Sequence, residues 1–133
     1  MKAAVVRSAG ESPVYMEFEA PHAMPGHRTV AMTASALSRL AQGRASGTHY
    51  SSGSGYPFVV GVDGVGRLDD GQRVYIFGAP APFGTMAERT IVPDAQCVPL
   101  PNGLDDTTAA AIAIPGMSSW AALIERARFA AGE

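Results

Sequence analysis

Three glycines at positions 61, 64 and 66, set around Asp63 in "FVVGVDGVGRLDDGQRVYIFG" (58–78), are the first residues here whose types and spacing suggest chemistry. A glycine-rich turn binds a nucleotide pyrophosphate when it joins a strand to a helix, because the helix N-terminus supplies N–H groups and a positive dipole. These glycines do follow a strand-like run. Beyond them, however, "DDG" signals a turn and "QRVYIF" another strand, and G-x-x-G-x-G is not the dinucleotide spacing. The glycines therefore read as turn chemistry in a hairpin connection. His49 beside Tyr50 is a second candidate, either a proton donor near neutral pH or simply an exposed loop histidine. Cys97 is the single cysteine; in "QCVPLP" it reads as a strand residue with nothing nearby to lower its pKa. His22, His27 and His49 are too scattered for metal-ligand spacing.

The elements that must position these groups are mostly strands. "KAAVV" (2–6) is a short apolar run, and "VYMEF" (14–18) alternates as a half-buried strand does. "HRTVAMTASAL" (27–37) places Val30, Met32, Ala34 and Ala36 on one face, after a "PG" turn. "QRVYIF" (72–77) and "GTMAERTIV" (84–92) add two strands around the proline-rich "GAPAP". Short strands punctuated by Gly and Pro predict a barrel or sandwich. Between Ser38 and Pro57 the pattern fails: "SRLAQGRASG" supports one short helical turn, and "THYSSGSGYP" is small, polar and flexible. After Pro101 the character changes. "NGLDDTTAAAIAI" starts a helix capped by aspartates and ended by Pro115. A second helix, "GMSSWAALIERARFA", carries Trp120, Leu123, Ile124 and Ala127 at i, i+3, i+4 and i+7, an apolar stripe read as core, with Gly132 as its stop.

The chain has 133 residues, 47% of them hydrophobic, and a net charge of −2. That length fits one domain with a real core. The charge balance, with no basic run, argues against nucleic acid as a partner. A lone cysteine provides no disulfide framework and no thiolate cage, which fits a reducing, cytoplasmic setting. The N-terminal apolar run is too short for a signal peptide, and no 18-residue apolar run is apparent, so no membrane partner is expected.

Taken in order, "MKAAVV", "PFVVGVDGVGRL…GQRVY", "FGTMAERTIVP", "CVPLPNGLDDTTAAAIAIPGMSSWAAL" and "RFAAGE" resemble the medium-chain dehydrogenase/reductase superfamily, and its zinc-free quinone oxidoreductase-like branch most. The resemblance covers nearly the whole chain. It implies a mainly β fold, a GroES-like partly open β-barrel with short C-terminal helices. Residues 1–133 would be the GroES-like catalytic domain, ending at the boundary to a nucleotide-binding Rossmann domain absent from this chain. The cofactor implied is NADPH, bound mainly by that absent domain. Zinc is not implied. Zinc-dependent relatives need Cys near the start of the 38–50 segment and His–Glu after Gly61, where this chain has Ser38–Arg39 and Val62–Asp63; the four-cysteine structural lobe is also missing.

The same resemblance implies direct hydride transfer to a quinone or enone, with hydrogen bonds to the carbonyl as it gains charge. Tyr50 matches the aromatic loop position, either a phenol donor to a quinone oxygen or a tyrosine capping the barrel mouth. Ser38 falls near the place where relatives carry a polar asparagine. His49 is the candidate proton donor. Ser118, in Ser118-Ser119-Trp120, matches a threonine near the nicotinamide and is either a cofactor contact or a helix cap. Asp63 matches a common acidic position, ordering the pocket loop or bonding turn N–H groups. The chain departs from the family pattern at Gln72, usually aspartate, and at the apolar Ile114.

Two functional classes follow. One is the substrate-binding domain of an NADPH-dependent, zinc-independent oxidoreductase, inactive without its cofactor domain. The other is a non-catalytic GroES-like binding or assembly module, with 43–55 as a mobile partner loop. Unpaired strand edges would favour pairing between copies, as a homodimer.

Overall fold

The computed structural model describes residues 1–53, 55–130 and 132. Two antiparallel sheets form the core. The first has the order β2-β1-β4, from β1 (Lys2–Val6), β2 (Val14–Glu17) and β4 (Phe58–Val59). The second has the order β7-β3-β5-β6-β8, from β3 (His27–Ser35), β5 (Asp63–Arg67), β6 (Arg73–Phe77), β7 (Arg89–Pro93) and β8 (Cys97–Pro99). Bonds from Ala4 N to Met86 O and from Glu88 N to Lys2 O tie the sheets together, and the result is a curled, partly open barrel. Val30, Leu68, Val74, Ile76 and Val92 fill its interior, and Ala3, Val5 and Val59 form a second cluster. Cys97 lies in β8 as expected, and burial pushes its thiol up.

Two of the three central glycines are not in a turn. Gly64 and Gly66 lie inside β5, paired with Ser35 and Met32 of β3. The register of β3 shifts between Met32 and Ala34, a bulge at Thr33. A Cβ on Gly64 would sit within 3.0 Å of the Ala34 carbonyl oxygen, and one on Gly66 within 3.0 Å of that of Ala31. The glycines are therefore dictated by how closely β3's backbone approaches on either side of the bulge. Only Gly61, with φ +99°, fits the turn reading. As expected, a strand and not a helix follows these glycines.

The bulge aims Thr33 at the next element. Its hydroxyl lies 3.2 Å from the Val65 carbonyl oxygen and 2.7 Å from Oδ2 of Asp106, the first residue of α2 (Asp106–Trp120). Asp105 caps that helix through the Thr108 N–H at 2.9 Å, and Ala109 and Ala110 pack on Val65. A shorter helix, α1 (Arg39–Ala45), lies in the segment expected to hold a single turn.

The helical end departs most from expectation. Pro115 lies inside α2 without ending it, and the chain runs directly into a wider π-type turn over Ala121–Arg126. The Ala127 N–H bonds to the Ala122 carbonyl, and Arg128 then takes φ +52°, so the helix stops well before Gly132. Proline costs a helix one N–H, but this outer stretch is exposed, so water can satisfy the freed carbonyl. Trp120, Leu123 and Ile124 are consequently not core: they are 55%, 49% and 46% exposed. The reason is geometric. Only the first turns of α2 lie over the sheet; the rest projects beyond it. The continuous helix Asp106–Arg126 also has the length and mean hydropathy (1.3) of a membrane span, contrary to the reading that no such apolar run exists. Its packed first turns are those of a helix docked on a globular sheet.

Candidate functional site

Among the described residues, three of the cavities adjoin α1. The largest, about 460 Å³, lies between α1, the 55–62 segment and the 79–83 loop. A second, about 430 Å³, is a cleft between residues 34–39 and the α2 face formed by Thr107, Ala110, Ala111, Ile114 and Pro115. A third, about 290 Å³, lies between the 10–13 loop and α1.

Ser38 lines the cleft, and its Oγ accepts the Ala41 N–H at 3.1 Å, capping α1. Ser118 is exposed on α2, one turn past Ile114 on the same helical face, and it is too far inside the helix to be a cap. Ser38 therefore sits in the 34–39 wall of the cleft, while Ser118 lies on α2 beyond the residues that line it. Tyr50 and His49 are elsewhere. Tyr50 is 96% exposed and stacks on His49, with ring centroids 4.2 Å apart. His49 Nδ1 accepts the Ser51 N–H at 3.1 Å, which leaves Nε2 as the protonated nitrogen of the neutral ring. Neither ring lines any of the three cavities.

Asp63 proves to be a buried residue, not a turn cap. It is fully buried, and its Oδ2 accepts the Tyr75 phenol at 3.1 Å. Its Oδ1 has no hydrogen-bond partner among the described residues. Tyr75 packs with Val65, Ala34 and Ala110, so the pair lies on the α2 side of the sheet, beside residues that line the cleft. Burial raises the Asp63 carboxyl above its ordinary value, and burial with the neighbouring Asp63 raises the Tyr75 phenol. A raised carboxyl means that the folded state holds a proton more readily than the unfolded chain. Its stabilising contribution is complete at low pH and falls as pH climbs from about 4 through the raised value. Asp63→Asn keeps the acceptor for Tyr75 and cannot ionise. Urea titrations should find it more stable than wild type at pH 8, by on the order of 1 kcal/mol, with the gap closing toward pH 4.

Sequence reading missed the lining of the largest cavity: Arg44, Tyr56, Phe58 and Phe83. The available signal was the pair of aromatic–proline clusters "YPF" (56–58) and "APF" (81–83), which locally read as loop punctuation. Among the described residues, no three of His, Cys, Asp and Glu gather into a metal-ligand group.

No protein-family model and no curated protein matches this sequence. Solved structures do. The quinone oxidoreductase from Thermus thermophilus, determined also in complex with NADPH, is 27% identical with a TM-score of 0.84. The match covers 96% of this chain and 41% of that one. A probable oxidoreductase from Mycobacterium abscessus is 28% identical with a TM-score of 0.90, covering 100% of this chain and 45% of that one. A quinone oxidoreductase from Pseudomonas syringae pv. Tomato shares the fold, at 22% identity and a TM-score of 0.79. In fold, this chain is mainly β with a curled half-barrel sheet, and it is similar to the GroES-like domain of quinone oxidoreductases of the medium-chain dehydrogenase/reductase superfamily. It spans less than half the length of these solved chains.

Proposed function

We propose that this chain is the acceptor-binding domain of an NADPH-dependent, zinc-independent reductase of quinones or enone-type carbonyl compounds. The observation that carries the reading is the Ser38–α2 cleft, set in a fold shared at 27–28% identity with a quinone oxidoreductase and a probable oxidoreductase. NADPH supplies a hydride when bound. The Gly61–Gly66 segment enters β5 and not a helix, so it does not have the form of a pyrophosphate-binding turn. Only the nicotinamide end would meet this chain, along the face bearing Ser118. Ser38 would orient the carbonyl. His49 and Tyr50 join the site only from their loop, where the phenol now faces solvent. With no ligand set assigned to zinc, hydrogen bonds take the developing charge. A homodimer through strand edges and a cytoplasmic location belong to the same proposal.

The test replaces the aligned portion of the Thermus thermophilus enzyme with residues 1–133. The chimera should oxidise NADPH with p-benzoquinone, and a zinc chelator should not change the rate. A folded chimera that binds NADPH yet reduces no quinone would overturn the proposal and favour a non-catalytic module.

A further inference from the structure

The 460 Å³ cavity shares no lining residue with the Ser38 cleft, and its chemistry is specific. Tyr56, Phe58 and Phe83 supply flat faces; the first two rings lie 5.5 Å apart, tilted by 48°. Phe83 is fixed from behind by an edge-to-face contact with Phe18 at 6.4 Å. The walls are strapped together by backbone bonds from Val59 N to Pro82 O at 2.8 Å and from Met86 N to Val60 O at 2.9 Å, and a bond from Phe83 N to Pro80 O at 2.9 Å closes a turn within the 79–83 loop. A Cβ on Gly84 would fall within 3.0 Å of the Val59 and Val60 carbonyl oxygens, so the two segments are in direct backbone contact. The space is therefore pre-formed, in the size range of small-molecule pockets, about 300–1,000 Å³.

Among the described residues, Arg44, in the last turn of α1, is the only charged one in this lining. It is half-buried, and no ion pair among the described residues involves it. A guanidinium that faces an aromatic-walled space with no countercharge favours a ligand that brings one. The planar fork also suits a carboxylate or sulfonate in two-point contact.

We propose that this cavity is a binding site for flat aromatic anions, with Arg44 as the counter-charge and Tyr56, Phe58 and Phe83 holding the ring. The site stands apart from the reductase reading, since neither NADPH nor turnover enters its test. The probes are 2-naphthalenesulfonate and neutral 2-naphthol, titrated into the 133-residue chain at pH 7 by calorimetry, with amide shifts locating the site. The sulfonate should bind about tenfold tighter or more, roughly 1.4 kcal/mol, and should shift the amides of Val59–Val62 and of Ala79, Ala81 and Phe83. Arg44→Gln should erase the preference while 2-naphthol binding stays unchanged. Equal affinities, a preference surviving in Arg44→Gln, or shifts confined to α2 would each overturn the proposal.

Discussion

Gly66→Ala will leave the chain largely unfolded or cost about 3 kcal/mol, most of the stability of a marginal domain. The added methyl has nowhere to go. It would press on the Ala31 carbonyl and the Val30 side chain, within 3.0 Å of each, and a backbone carbonyl in a central strand does not rotate aside. Relief requires β3 to move away from β5, and β3 is also bonded to β7 along five residue pairs. The damage extends past the strand. If the bulge at Thr33 straightens, the Thr33 hydroxyl no longer meets Asp106, and the helix forming one wall of the Ser38 cleft loses an anchor. Urea midpoints for Gly66→Ala and for Gly103→Ala make the comparison. A Cβ on Gly103 meets nothing within 4 Å, so that variant should stay within about 0.5 kcal/mol of wild type. If both variants unfold at the wild-type midpoint, the close-approach account is wrong.

Arg73→Met should cost about 2–3 kcal/mol and free the start of α2. Arg73 reaches from β6, with its Nε 2.8 Å from Asp106 Oδ1 and its terminal nitrogen on both that oxygen and the Leu104 carbonyl. The pair is largely shielded, with side-chain exposures of 19% and 23%, so it is worth more than a surface ion pair. The Thr33 hydroxyl and the Arg73 guanidinium hold the Asp106 carboxyl below its ordinary value. That contribution is present above about pH 4 and lost as pH falls through the lowered value, the reverse of Asp63. Methionine keeps most of the packing volume, so the loss is one of charge and hydrogen bonding. A double-mutant cycle with Asp106→Asn should return most of the cost as coupling, and amide exchange should speed in residues 109–113. Unchanged exchange there would show that Arg73 does not hold the helix.

Sequence alone determined the strand-rich class, the boundaries of β1, the absence of a phosphate-binding helix after Gly66, and the aspartate cap of α2. These follow from local rules: alternation, turn residues and capping act within a few positions, so neighbouring residue types suffice. Tertiary structure decided everything that depends on a distant neighbour. Gly64 and Gly66 looked like turn residues because glycine has the same local meaning wherever it stands; only β3's approach shows that they serve a bulge. Asp63 found its partner twelve residues away, across the β5–β6 hairpin. Trp120, Leu123 and Ile124 kept the periodicity of a buried face but lie past the edge of the sheet, because periodicity reports which residues share a side and not what covers that side. The aromatic cavity joins residues 44, 56–58 and 83, a grouping set by two backbone straps that no local pattern encodes.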